Sequence, residues 1–307
     1  MANFNFLNNA QVFIVYNNLR YNLDVSSDIK FSQTFTDNTY PQKTLHEPKK
    51  LFEESNIKKA NPADFAFSLP MYEEDDLQVI FDLLVDYKSS TEFTLKTFDL
   101  YIQLPDLLYK IQKCAIINGT FIIEKLQNLK LQVSGQGTRL SHYVVGSNDY
   151  HSLGLHNLSL AARSAEVTPQ RVDHLSVTLN NTALDKIYKI SAELQNDIEW
   201  NEEQTVHKAL QSGITYPTDF TLKSRILSGT IGQYVATDSL SYLQSNLSQV
   251  PLVITAGKNS TTGFQFNLQN CTFTNRNNVD RVFTQNYDWR MNDNPDDLGT
   301  KLKLNNN

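Results

Sequence analysis

NPADFAFSLPM (residues 61–71) and YPTDFTLKSRI (residues 216–226) share one pattern: Pro, any residue, Asp, Phe, any residue, then a large apolar residue. The positions are Pro62, Asp64, Phe65 and Phe67 in the first stretch and Pro217, Asp219, Phe220 and Leu222 in the second. The neighbouring segments repeat in the same order. Upstream, LDVSSDIKF with Asp28 and Ile29 faces AELQNDIEW with Asp197 and Ile198, and both alternate apolar and polar residues as half-buried strands do. Downstream, CAIINGTFII (114–123) faces FNLQNCTFTN (266–275), sharing Asn118, Thr120 and Phe121 with Asn270, Thr272 and Phe273. VYNN at 15–18 and TLNN at 178–181 each end an apolar stretch in an Asn-Asn turn signal. This is the pattern of a diverged tandem duplication.

Between the second and third matches each half carries one helical pattern. In the first half it is Leu77, Ile80, Leu84 and Tyr87 behind the acidic opening Glu73, Glu74, Asp75 and Asp76, which suits a helix N-terminus. In the second it is Leu240, Leu243 and Leu247 behind Thr237 as N-cap. Alternation in FDLYIQL sets Phe98, Leu100, Ile102 and Leu104 on one face, and in LKLQVSG it does the same for Leu129, Leu131 and Val133. Sheets with one apolar face pack against a helix or a second sheet on that face alone. The expected fold is therefore mainly β, a β-sandwich or open barrel with one flanking α-helix, duplicated in tandem.

Residues 1–140 form the first domain, with a long polar loop at 31–60; 141–170, rich in Ser, His, Gly and Asn, is a linker or arm. Residues 171–290 form the second domain and 291–307 a polar, solvated tail. The 31–60 loop has no clear strand or helix period, and loops of that length are usually functional or disordered.

Composition narrows the class. The 307-residue chain is 40% hydrophobic and 20% charged, within the globular range. It lacks an apolar run long enough to span a bilayer, and its N-terminus lacks the marks of a secretory signal, so it is expected to stay where it is made, with no membrane partner. Two cysteines, Cys114 and Cys271, build no disulfide framework. Asn-X-Ser/Thr triplets at Asn118, Asn157, Asn180, Asn246, Asn259 and Asn270 reflect an Asn-rich composition rather than glycosylation. A net charge of −6 argues against a surface that grips nucleic acid.

Chemistry-bearing motifs are scarce. Gly135-Gln136-Gly137 follows an alternating strand, precedes no helix, and reads as a strand-ending turn rather than a phosphate loop. His142, His151 and His156 match no metal template. Asp293, Asp296 and Asp297 lack the spacing of a calcium loop. No nucleophile elbow or placeable acid–base pair appears, so catalytic, cofactor-binding and metal sites are all assigned as none and an enzyme is not expected.

Several of these stretches together resemble the tail tube proteins of long-tailed bacteriophages. The features are the apolar strand Phe65 to Met71, the acidic-headed helix Asp75 to Tyr87, Tyr101 and Ile102, Tyr109 with Lys110 and Cys114, and Ser134 with Gly135. The likeness covers residues 20–140 directly and the second half through its similarity to the first. It implies a structural virion protein of the tail, assembled in the host cytoplasm, whose copies stack as rings into a conduit for DNA ejection. A two-domain chain resembles the subset with three subunits per ring and pseudo-six-fold symmetry. The implied partners are further copies of the chain and other tail proteins, including the tape measure, with DNA passing through unbound. The loop residues Lys49, Lys50, Glu53 and Glu54 are then candidates for contact with a neighbouring subunit or ring, and Asp99 and Gln103 for the lumen. Alternatives are another tail component, such as a terminator or distal tail protein, and a two-domain β-sandwich binding module.

Overall fold

The computed structural model describes residues 10–26, 28–39, 56–73, 78–85, 87–89, 94–162, 167–201, 213–235, 247–260, 263–279, 283–292 and 302–305. The first half contributes β1 (Gln11–Tyr16), β2 (Leu19–Leu23), β3 (Lys30–Ser32), β4 (Phe35–Thr39), β5 (Asn56–Ala60) and β6 (Ala63–Pro70). After α1 (Gln78–Val85) come β7 (Tyr87–Ser89), β8 (Thr94–Leu95), β9 (Phe98–Gln103), β10 (Leu107–Glu124), β11 (Lys130–Gly137) and β12 (Arg139–Val144). A connection with α2 (Asn148–Ser152) and β13 (Ser159–Leu160) follows. The second half is β14 (His174–Leu179), β15 (Thr182–Leu184), β16 (Ile187–Asn201), β17 (Ile214–Thr215), β18 (Asp219–Tyr234), β19 (Val250–Gly257), β20 (Gly263–Val279), β21 (Phe283–Met291) and β22 (Leu302–Asn305).

Hydrogen-bonded neighbours give one order twice. It runs β3, β6, β11, β10, β9, β1, β2 in the first half and β16, β18, β21, β20, β19, β14, β15 in the second. β12 and β22 pair with the opening segments of β10 and β20. The repeated residues occupy matching ladder positions: Phe31 lies opposite Phe65, and Trp200 opposite Phe220. Such cross-strand aromatic pairs contribute about 0.2–1 kcal/mol each beyond Ala–Ala. Both Asn-Asn pairs form two-residue hairpin turns with positive φ, 50° and 61° at Asn17 and Asn18, 48° and 62° at Asn180 and Asn181. Asn tolerates that conformation, which matches strand twist.

The fold is mainly β and sandwich-like. In each half one long strand serves two layers: β10 pairs with β9 and β12 early and with β11 throughout its later course, and β20 behaves likewise. Side chains from both layers and both halves meet in one core with α1, whose Ile80, Phe81, Leu83, Leu84 and Val85 are buried. Burial of each such side chain is worth about 1.5–3 kcal/mol. The outer face of β1 and β9 is apolar as well; Phe13, Tyr101 and Leu108 are covered there by Leu155 and the residues around α2.

Several sequence expectations give way. Gly135 lies inside β11, where a Cβ would collide with the Phe65 ring and the Ala115 carbonyl, while Gly137 ends the strand just before the bend at Thr138. The 31–60 stretch takes in most of β3 and all of β4 and β5; β4 pairs with β5, and β5 also pairs in parallel with β17 of the other half, so partners rather than an internal period set these strands. The expected linker begins inside β12, and its later residues are pinned: Gln170 exchanges backbone bonds with Met71 and Leu129, and Val172 with Leu126 and Gln127. Met291 ends β21 and Leu302–Asn305 form β22, so the 291–307 stretch is not a free tail. Tyr87 opens β7 instead of closing the helix. Residues 74–77, 86, 236–246 and 293–301, and with them the second helical pattern apart from Leu247 and the three candidate calcium aspartates, lie outside the described residues.

Gly135→Ala is expected to lower stability by about 1–3 kcal/mol through overpacking, read as a shifted denaturation midpoint with an unchanged slope.

Candidate functional site

The two halves are joined edge to edge. β10 and β16 run antiparallel from Asn118 opposite Gln195 to Glu124 opposite Lys189, so the large sheet crosses from one half to the other without a break. Behind this seam the Phe121 ring lies 4.7 Å from Phe264 and 5.9 Å from Phe266, bringing the second half's core onto the first. An ion pair, Lys189 to Glu124 at 3.1 Å, closes one end.

Polar side chains lock the seam from the core side. Alternation along β16 sets Ala192, Leu194 and Asn196 on the buried face, and Asn196 donates through Nδ2 to the carbonyls of Ile116 (2.9 Å) and Leu84 (3.3 Å). Arg225 of β18 donates to the Val85 carbonyl. The last carbonyls of α1 thus receive donors from the second half, one of them cationic, as the negative end of a helix favours. At the opposite end of the seam Trp200 donates to Gln136 Oε1 (2.8 Å), and Gln136 donates to Asp64 Oδ1 (2.8 Å). Trp200 and Phe220 pack with Leu95 and Ala115 of the first half. Asp64 therefore anchors an inter-half chain, whereas Asp219 accepts from the amide of Phe220 beside it.

The large sheet ends in a strand edge on each side. Among the described residues, no strand pairs with the outer edge of β3 or with the outer edge of β20 beyond Cys271. On the latter edge the Phe273 amide donates to the Leu247 carbonyl (2.8 Å).

One face of the large sheet is polar across both halves. Directly opposed residues share a face, and one row runs Ser68, Gln132, Thr120, Glu193, Ser228, Arg290, Thr272. The opposing face carries Phe121 and Phe273, both buried. The repeated Thr-Phe pairs thus present Thr120 and Thr272 on the polar side and their phenylalanines to the core. Asp288 pairs with Arg276, and acidic and basic side chains along this face largely neutralise one another.

Asp99 and Gln103 sit on β9, in the other layer. Asp99 is engaged by Lys110 (2.8 Å) and accepts from the Lys113 amide (3.0 Å). Burial draws the Lys110 pKa down, but the hydrogen bonds that the ammonium donates to Asp99 and Tyr101 outweigh it and leave the pKa above its ordinary value. Burial also pushes the Cys114 thiol well up, which makes it an inert core residue rather than a nucleophile. Lys49, Lys50, Glu53 and Glu54 lie outside the described residues. Asn118 lies in the seam, Pro62 precedes β6 and Pro217 precedes β18. Among the described residues no His, Cys, Asp and Glu cluster is arranged to hold a metal, and no helix is long and apolar enough to cross a membrane.

The two halves are held together by strand pairing, and over the whole sequence the model of the bacteriophage baseplate tube protein family matches residues 2–306. The chain belongs to the bacteriophage baseplate tube protein family. No curated protein matches the sequence. Membership in the baseplate tube protein family makes the chain a structural component of the phage tail and baseplate, and so of the virion.

Asn196 was within reach of sequence reading, since a polar residue at the apolar phase of AELQND signals a buried partner. In this baseplate tube protein, Asn196→Ala should strand two buried carbonyls and cost about 1–3 kcal/mol, measured by chemical denaturation, while the conservative surface change Gln195→Ala should leave stability within about 0.5 kcal/mol.

Proposed function

We propose that the chain is a tube subunit that self-assembles into rings, stacked to form the passage for DNA ejection, and that it occupies the baseplate end of that tube. The observation that carries this reading is the repeated strand order joined edge to edge through β10 and β16, with equivalent edges left open at β3 and at the end of β20. The family description, a baseplate tube protein, supports the position in the tail.

The two halves are read as copies of one duplicated domain. In the first half the late part of β10 receives β16. In the second half the late part of β20 occupies the same place in the strand order, and β3 occupies the place of β16. Edge pairing of β20 with β3 of the next copy repeats the internal joint and propagates it head to tail, as heterologous contacts do until they close. Three copies, each with two halves, give a ring of pseudo-six-fold character. The polar face of the large sheet is the candidate lumen wall, in place of Asp99 and Gln103, whose layer carries the linker. A wall of threonine, serine, glutamine and paired charges offers phosphates no cluster of cations to adhere to. Other tail proteins, the tape measure among them, are the expected axial partners, and the stretch between β4 and β5 is the candidate for contact between rings.

Electron microscopy of the purified chain, alone and with tail initiators, is expected to show rings or hollow tubes. Persistent monomers under all conditions would overturn the reading. Phe273 donates outward, and alternate residues of an antiparallel strand bond to the same side, so the Asn277 amide faces the open edge. Asn277→Pro is expected to retain the folded monomer's melting temperature and to form no rings. Rings at wild-type yield would place the seam elsewhere. Replacing residues 40–55 with a short turn is expected to preserve rings and to block their stacking, scored as tube length in the same images.

A further inference from the structure

We propose that the C-terminal strand β22 is exchangeable: it closes its own sheet in the free chain and, in the assembly, adds to the same β20 edge of an adjacent copy. The inference rests on the tube-subunit reading for its second partner and on the monomer for its first.

The starting observation is a difference between two equivalent crossings. β11 passes into β12 through a single residue, Thr138, whose amide and hydroxyl both bond to the Gln112 carbonyl. β21 and β22 hold the same places beside β20, yet residues 292–301 separate them. One residue is enough for this crossing within a sandwich of this design. A connection spanning 292–301 allows reach of up to roughly 3.3 Å per residue, far more than the local step needs. Excess connection length before a strand held by a single ladder is what exchange between identical chains requires.

The docking site suits a strand supplied from either source. The opening segment of β20 pairs with β19 on one side through Gly257 opposite Gly263 and its successors, so it stays built and backed by the core when the other side is vacated. Phe264 and Phe266, both fully buried, fix the face that the added strand must match, and the register sets them opposite Leu304 and Leu302. The sequence LKLN alternates apolar and polar residues, so one register satisfies both the backbone ladder and the face. Among the described residues β22 pairs with no strand except β20, so release breaks one short ladder. No covalent chemistry is involved. The occupant is the same four-residue strand in both states, and only its parent chain changes.

Paired cysteines test the exchange directly. Gln265 and Lys303 are directly opposed, within the separation a disulfide accepts. The double variant Gln265→Cys, Lys303→Cys, oxidised as dilute monomer, is expected to give an internal bond and a single-chain band on a denaturing gel. Oxidised after assembly, it is expected to give covalently linked oligomers. Single-chain bands alone from assembled material would overturn the proposal. A second arm does not need assembly: the chain truncated after residue 298 is titrated with a synthetic peptide of residues 301–307. Saturable binding, abolished by a Leu302→Asp, Leu304→Asp peptide, is expected, and absence of binding to the folded truncated chain would also overturn the proposal. Failure to assemble with retained peptide binding would count against the tube reading while leaving the strand site intact.

Discussion

The ladder between β10 and β16 is the constraint on which everything else depends. It makes one sheet of two, so the polar face is continuous and the apolar face needs a continuous core behind it. Once the strands pair from Asn118 to Glu124, Phe121 is brought onto Phe264 and Phe266, and α1 is trapped with its C-terminal carbonyls against β16 and β18. Backbone pairing sets the spacing here, and the aromatic and amide contacts make that spacing unique. A buried amide such as Asn196 contributes modest net stability when satisfied and a larger penalty when displaced, so it acts against any slipped register of the seam.

The elements legible in the sequence were those that carry their own instructions. Asn17-Asn18 and Asn180-Asn181 dictate tight turns through their own dihedral tolerance, and the alternation in FDLYIQL and LKLQVSG specifies a buried face. The match of PADF with PTDF was informative because Phe65 and Phe220 each meet an aromatic residue across a ladder, at Phe31 and Trp200. The elements that were not legible take their instructions from elsewhere. β5 is held between β4 and β17; β22 is held by β20; and Gly135 is in a strand because it is paired with β6 and β10 on either side, with Phe65 filling the space a side chain would need. None of those partners lies within a local window of sequence.

The candidate assembly features divide in the same way. Asp64 and Asp219 were equivalent as letters, but the Asp64 side chain holds a hydrogen-bond chain into the other half while the Asp219 side chain accepts from its neighbour's amide. The strand order is the same in both halves, and the side chains that differ between them set which strand meets a partner within the chain. Open edges cannot be read from residues at all, since they are defined by what does not pair.

The course of residues 168–172 carries a consequence for biosynthesis. These residues fill a slot between Met71 and the turn at 126–129, with Val172 and Gln170 fully enclosed. A nascent chain that has emerged only as far as β12 therefore holds an unfilled slot in its first sandwich, and the missing piece belongs to a segment that has not yet emerged. The first half matures only when the ribosome has begun the second, which ties the halves in time as the seam ties them in space.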